Sequence, residues 1–224
     1  MSISRYIAAL AASLIMSAAC TENPYGPTNH VPGQNPEQEI PQKPDESGDH
    51  DGLYLGGDIS VLLSYEDNKV PYYDQQGNLI PDVLKYMKSD DVKWNAQRVR
   101  LFVNPQQKSP DGSRDAQVCQ DLDYVVRLCK RIKQEGFALL LDFHYSDTWA
   151  DPSNQWIPQE WASLGEIELQ AKIYQYTKDC LQRLVDEGAA PDFVQPGNEI
   201  SYGMLWSTYA GRNDKSNRCF YDSS

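Results

Sequence analysis

The chain has 224 residues, 40% of them apolar, which is enough for one domain with a real core. Its formal net charge of −12 excludes nucleic acid as a natural partner, because a phosphate backbone needs a basic face. Fourteen Tyr and five Trp suit a surface that handles flat, amphipathic ligands such as sugars, although ordinary core packing accounts for most aromatic residues.

Residues 1–19 carry one basic residue, Arg5, then an apolar segment, then Ser17-Ala18-Ala19 before Cys20. The segment reads as a secretory signal, too short and wrongly flanked for a spanning helix. Small residues directly before a Cys resemble a bacterial lipoprotein signal, so Cys20 is the expected lipidation site. The expected address is an exported outer-membrane or cell-surface lipoprotein. Residues 20–50 form a linker with six Pro and almost nothing apolar, unable to offset its own ordering entropy.

The folded domain is expected over 51–206. Leu53–Ser64 reads as a strand interrupted by Gly56-Gly57, a bulge or close backbone approach, with Asp58 beside it. Pro81–Met87 reads as a short helix. Gln97–Val103 reads as a strand in which Arg98 and Arg100 share one face. A strand Arg must meet a carboxylate or line a wet pocket. The pattern favours Arg100, nearer the C-terminal end.

Asp115 is a candidate cap for a helix carrying Val118, Leu122, Val125, Val126, Cys129 and Ile132, stopped by Gly136. Phe137–Phe143 is an almost unbroken apolar strand of the kind that parallel sheets bury on both faces. It runs into His144-Tyr145-Ser146-Asp147-Thr148-Trp149, a polar, aromatic strand end that points to ligand binding. A further helix carries Leu169, Ile173, Tyr176, Thr177, Cys180, Leu181 and Leu184 and stops at Gly188. The strand from Phe193 ends in Asn198-Glu199. Cys119, Cys129 and Cys180 fall on apolar stripes and read as buried thiols, while Cys219 has no assignment. Residues 207–224 read as an irregular tail.

Strands separated by crossover helices imply a parallel α/β sheet. Polar residues gather at the C-terminal strand ends: Asp58, Arg100, Asn104, His144, Asp147 and Glu199. The expected fold is therefore the first half, about four βα units, of a (β/α)8 TIM barrel, whose active site lies at those ends.

Four segments occur in order: Gly56-Gly57-Asp58-Ile59-Ser60, Arg98-Val99-Arg100-Leu101-Phe102-Val103-Asn104-Pro105, His144-Tyr145-Ser146-Asp147-Thr148-Trp149-Ala150-Asp151-Pro152 and Gln195-Pro196-Gly197-Asn198-Glu199. The set resembles the endo-β-1,4-galactanases of glycoside hydrolase family 53, over about residues 53 to 206. The resemblance implies retaining cleavage of the β-1,4-galactan of type I arabinogalactan, a pectin side chain. Glu199 matches the general acid/base and Asn198 the residue that contacts the sugar 2-hydroxyl. Arg100 matches the Arg that supports the nucleophile. His144, Asp147 and Trp149 match the substrate-lining loop, and Asp58 joins them as a site residue. No cofactor is implied, and the calcium that members carry in late loops belongs to a region outside the matched segments.

The family's nucleophile is a second Glu at the end of strand seven, and no residue of this sequence matches it. The expectation is a chain cut after barrel strand four, poorly stable alone because sheet edges stay uncovered. Two other readings stand beside the enzyme: a non-catalytic remnant that at most binds galactan, and another barrel glycosidase or an unrelated α/β lipoprotein.

Overall fold

A computed structural model describes residues 52–108 and 112–206. The expected signal segment, Cys20, the linker, Cys219 and the tail lie outside the described residues. Among the described residues, no helix is long and apolar enough to cross a membrane.

The central element is a four-stranded parallel sheet of β1 (Gly56–Asp58), β4 (Ala96–Leu101), β5 (Ala138–Phe143) and β6 (Phe193–Pro196), in that spatial order. Between β1 and β4 the chain makes helix α1 (Leu62–Asp67), a hairpin of β2 (Tyr72–Tyr73) and β3 (Leu79–Ile80), and helix α2 (Val83–Lys88). Helix α3 (Leu122–Gln134) connects β4 to β5, and α4 (Glu166–Asp186) connects β5 to β6. Sequential parallel strands joined through helices are the βαβ units of a barrel, as the sequence predicts.

Alternation along each strand decides which face a side chain joins. Val99 and Leu101 of β4 and Leu139, Leu141 and Phe143 of β5 are fully buried. They pack in one core with Val125, Leu128, Cys129 and Ile132 of α3 and Ile173, Cys180, Leu181 and Leu184 of α4. Register places the other set together: Asp58 opposite Arg98, Arg98 opposite Leu140, Arg100 opposite Asp142, and Asp142 opposite Gln195. That set forms the opposite, concave face. Its curl brings Tyr54, just before β1, and Phe193 of β6 into edge-to-face contact at 5.0 Å, although two strands separate them in the sheet.

Gly56 serves the close approach that its sequence context suggests. A Cβ there would stand 1.8 Å from the Ala96 carbonyl oxygen, so β1 pairs with β4 only because the side chain is absent.

Four sequence expectations shift. The strand expected over Leu53–Ser64 is three residues long, and Leu62–Asp67 is helical. Apolar Leu62 and Leu63 suit either period, and here they bury one side of a short helix. The helix expected from Pro81 begins at Val83, capped by Asp82, whose side chain accepts from the Lys85 N–H. Asp121, not Asp115, caps α3, accepting from the Tyr124 N–H at 2.8 Å. Cys119 therefore precedes α3 and is half-buried, whereas Cys129 and Cys180 are buried on their helix stripes as expected. Burial pushes both of those thiols up to about 12, so they are packing groups and poor nucleophiles.

The β2–β3 hairpin has no counterpart in the sequence reading. Its signal is local: Asp74 accepts from the N–H groups of Gln76 and Asn78, and Gly77 takes the left-handed conformation between two apolar pairs.

Candidate active site

The C-terminal strand ends open into a cleft of about 260 Å³, lined by Arg98, Arg100, His144, Trp149, Ala150, Asp151, Asn198 and Glu199. The two residues expected to flank Glu199, His144 and Trp149, do share its cleft.

Arg98 is the hub. Its guanidinium donates to Asp58 Oδ2 at 2.6 Å, to Asp142 Oδ2 and to Asn198 Oδ1 at 2.9 Å. One side chain on β4 thus ties the end of β1, the body of β5 and the loop after β6. The sequence pattern favours Arg100, and both arginines line the cleft, but Arg98 makes the larger number of ties. Arg98 lies directly opposite Asp58 and one diagonal step from Asp142, so its fork reaches both carboxylates. Arg100 lies 3.3 Å from Asp58 Oδ1 and sits over the Trp149 ring, 4.5 Å from its centroid.

Asp58 does two jobs at once. Its Oδ1 accepts from the Ser60 N–H, the local turn bond open to any Asp after a Gly pair, while its carboxylate anchors both arginines. Asp142 is fully buried, and its Oδ1 has no hydrogen-bond partner. An incompletely satisfied buried carboxylate is costly, and such groups concentrate where a protein keeps a functional face.

His144 is buried beneath the cleft. Its Nδ1 accepts from the Ala150 N–H at 3.3 Å, which turns Nε2 toward the buried Asp142. Nε2 stands 3.2 Å from Asp142 Oδ2 without hydrogen-bond geometry. Trp149 is held at two points: its indole N–H donates to Asp115 Oδ2 at 2.8 Å, and Arg100 covers the ring. Asp115, expected as a helix cap, is therefore a wall anchor. Its carboxyl is held below the usual range by the Gln117 N–H first and by the Trp149 indole second.

Asp147 does not line the cleft. It is buried and accepts from the Asn104 N–H at 3.0 Å and the Gln159 N–H at 2.9 Å, joining two loops behind the site. Burial raises its pKa against those two bonds. Its two bonds support the loop behind the cleft.

Asn198 and Glu199 follow the last residue of β6. Asn198 Nδ2 donates to the Ala150 carbonyl at 2.7 Å, so both ends of its amide are engaged by the protein. Glu199 is exposed to the cleft and has φ of 50°, a left-handed conformation that costs a non-glycine residue about 1–2 kcal/mol. Asp151 is the other carboxylate on the cleft wall. Its oxygens accept from the Ser153 and Asn154 N–H groups and from the Asn154 side chain.

Two residues of this region escape the sequence reading. Arg98 is visible there only as one of a same-face pair. Gln155 is buried and donates to the Asn198 carbonyl at 2.8 Å, a contact for which the sequence carries no signal.

Comparison with known proteins bears on this geometry. The model of glycosyl hydrolase family 53 matches residues 54–222. A probable arabinogalactan endo-beta-1,4-galactanase A from Neosartorya fischeri is 39% identical over 153 residues, covering 68% of this chain and 39% of the relative. An endo-beta-1,4-galactanase from Bacillus subtilis is 34% identical over 164 residues, covering 73% of this chain and 36% of the relative. The solved GH53 catalytic domain from Ignisphaera aggregans superposes with a TM-score of 0.62 at 35% identity, over 70% of this chain and 43% of that one. The chain thus spans about two fifths of the length of the relatives it matches.

Proposed function

The chain belongs to glycosyl hydrolase family 53, and on that footing we propose that its cleft binds β-1,4-linked galactan and presents Glu199 as the general acid/base of a retaining cleavage. The observation that supports this reading is the position of Glu199 at the C-terminal end of β6, exposed in one cleft with Arg98, Arg100, His144 and Trp149. A glycosidic oxygen needs a carboxyl that gives up a proton and later retrieves one from water. Glu199 is free for that role, whereas Asp151 is committed to its own loop.

Asn198 fits contact with the sugar 2-hydroxyl. Its Nδ2 carries two protons, and one goes to the Ala150 carbonyl. The other is assigned to the sugar, in an orientation fixed by Arg98 on the opposite end of the amide. Trp149 forms the wall, with one face already occupied by Arg100. The natural polymer in this reading is type I arabinogalactan, a pectin side chain.

Retaining cleavage takes a second carboxylate about 5–5.5 Å from the first. The fully buried Asp142 and the loop-bound Asp151 do not supply a free one among the described residues. That observation favours a second reading, in which the chain retains galactan without cutting it. Reducing-end release from galactan separates the two. Cleavage that drops by about a hundredfold or more in Glu199→Gln supports the acid/base role. Retention on galactan without new reducing ends supports the binding reading. Equal retention on mannan, xylan and cellulose defeats both.

We further propose that the chain is exported and acylated at Cys20, with residues 21–50 as a tether. The Cys20→Ala chain is then expected in the soluble fraction, without incorporated fatty acid. Membrane association unchanged by that substitution overturns the anchor.

A further inference from the structure

We propose that Gln155 is the positioning residue that holds Glu199 in its left-handed backbone conformation. This inference rests on the reading of Glu199 as the acid/base. Gln155 is 3% exposed and sits under the junction of two loops. Its Nε2 donates to the Asn198 carbonyl at 2.8 Å and to the Asp151 carbonyl at 3.2 Å, with the Glu199 carbonyl at 3.5 Å. A side-chain amide has two N–H donors, and those two carbonyls take them both.

The Asn198 carbonyl belongs to the peptide plane whose rotation sets φ of Glu199. Fixing that oxygen therefore resists relaxation of Glu199 from φ of 50° toward the ordinary right-handed region. The Asn198 side chain is held separately, by Arg98 and by the Ala150 carbonyl. Backbone and side chain of the residue before Glu199 are thus gripped from different elements. Arg98 aims the amide and Gln155 aims the peptide plane, which sets the direction in which the Glu199 carboxyl leaves the chain. The same Gln155 amide joins the Asp151 loop to the β6 end, so the two cleft walls share one fastening.

The test is site-resolved amide hydrogen exchange on the full 224-residue chain. The Gly203 N–H, bonded to the Ile200 carbonyl, and the Asn154 N–H, bonded to the Asp151 carbonyl, report the two loops. Gln155→Leu removes both donors: the Asn198 carbonyl loses the Gln155 amide, and the Asp151 carbonyl is left with the Asn154 N–H alone. Protection at Gly203 and Asn154 is expected to fall by about tenfold or more, with β4 and β5 amides unchanged. Unchanged protection at both reporters overturns the proposal, and so does an equal loss across β4 and β5, which marks a merely structural residue.

Gln155→Glu gives a second route that does not depend on tolerance of Leu. An ionised carboxylate faces two carbonyl oxygens without a donor, while the protonated acid restores one. Protection relative to wild type is expected to recover as pH falls from 7 toward 5, and wild-type protection at pH 7 overturns the proposal. Asp151 and Glu199, the carboxylates nearest in the two loops, are present in both chains, so the comparison with wild type is made at position 155 alone. Titration with β-1,4-galactotetraose, read by Trp fluorescence, tests the underlying reading separately. A wild-type chain that ignores the oligosaccharide, while Gln155→Leu still loses local protection, removes the galactan reading and leaves the positioning role standing.

Discussion

The two faces of the four-stranded sheet come from the same short strands and follow opposite rules. The hexapeptide Ala96–Leu101 sends Val99 and Leu101 into a fully buried core against α3 and sends Arg98 and Arg100 to the concave side. On the helix-covered face the buried strand side chains are apolar except Gln97, whose Oε1 is the one atom there without a hydrogen-bond partner among the described residues. On the concave face two arginines, two aspartates and a glutamine share the register, and Asp142 Oδ1, Arg100 Nε and His144 Nε2 have no hydrogen-bond partner. The difference separates two jobs. One face supplies the burial that drives folding. The other holds polar groups in a fixed but unsaturated array, which is what a ligand with many hydroxyls needs.

Substitutions of similar cost on the two faces are expected to behave differently under compensation. Phe143→Ala, on the packed face, is expected to cost about 3–5 kcal/mol in urea denaturation. Arg98→Ala is expected to cost a similar amount, about 3–5 kcal/mol, because the buried Asp142 carboxylate loses its cation. The second cost is conditional. Arg98→Met combined with Asp142→Leu is expected to recover most of it, since an apolar pair no longer buries an unpaired charge. If the double variant is as unstable as Arg98→Ala, the concave face is being held by something other than charge pairing.

Gly56→Ala probes the edge where the faces meet. The added Cβ meets the Ala96 carbonyl oxygen, a backbone atom that cannot swing aside. A loss of about 1–3 kcal/mol is expected by the same denaturation assay, with the β1 amides losing protection before those of β5. A neutral result would mean that β1 is free to shift along β4, and that Asp58 does not need its present register to reach Arg98.

Glu199→Gly has a smaller effect of the opposite sign. Relief of the left-handed conformation, set against the extra backbone freedom of Gly in the unfolded chain, leaves an expected gain of about 0.5–1 kcal/mol. The same variant should lose the function assigned to the cleft. Stability gained together with function lost is the signature of strain kept for use. A destabilised Glu199→Gly chain would show instead that the Glu199 side chain supports the fold.

How much of this was legible in the sequence follows the same division. The packed face was readable because periodicity reports burial: Val125, Cys129 and Ile132, then Ile173, Thr177, Cys180 and Leu184, recur at helical spacing and are buried where expected. The parallel order followed from the crossover helices. The concave face was readable only in part. Alternation placed Arg98 and Arg100 on one face, but which of them joins Asp58, Asp142 and Asn198 depends on register with two neighbouring strands. Asp142 is visible in the sequence as an acid inside an apolar run, but its pairing with Arg98 is not. Asp115 carried the sequence signature of a helix cap and instead bonds Trp149, because Asp121 lies closer to the first buried turn of α3. Gln155 had no periodic or motif context at all. Local pattern reports which side of an element is wet; it does not report which wet residues meet across the chain.

The smallest expected effect concerns that misread residue. Asp115 accepts from the Gln117 N–H and the Trp149 indole, and both lower its pKa, the first more strongly. A depressed folded-state value means that the tie is fully present above the unfolded carboxyl's value of about 3.9 and is lost as pH falls through the lower, folded one. The contribution of Trp149 to near-ultraviolet dichroism, isolated by difference against Trp149→Phe, is therefore expected to stay constant from neutral pH down to about 4 and to change only below that. Asp115→Asn keeps an acceptor oxygen but no titration, so its signal should remain flat through the acid range. Asp115→Ala removes the acceptor and should show the altered signal at every pH, while Arg100 alone keeps the ring near the wall. An acid transition in Asp115→Asn that matches wild type would move the titrating group elsewhere. Arg100 is itself anchored from the concave face, by Asp58 at 3.3 Å, so the Trp149 wall is tied to both sides of the cleft.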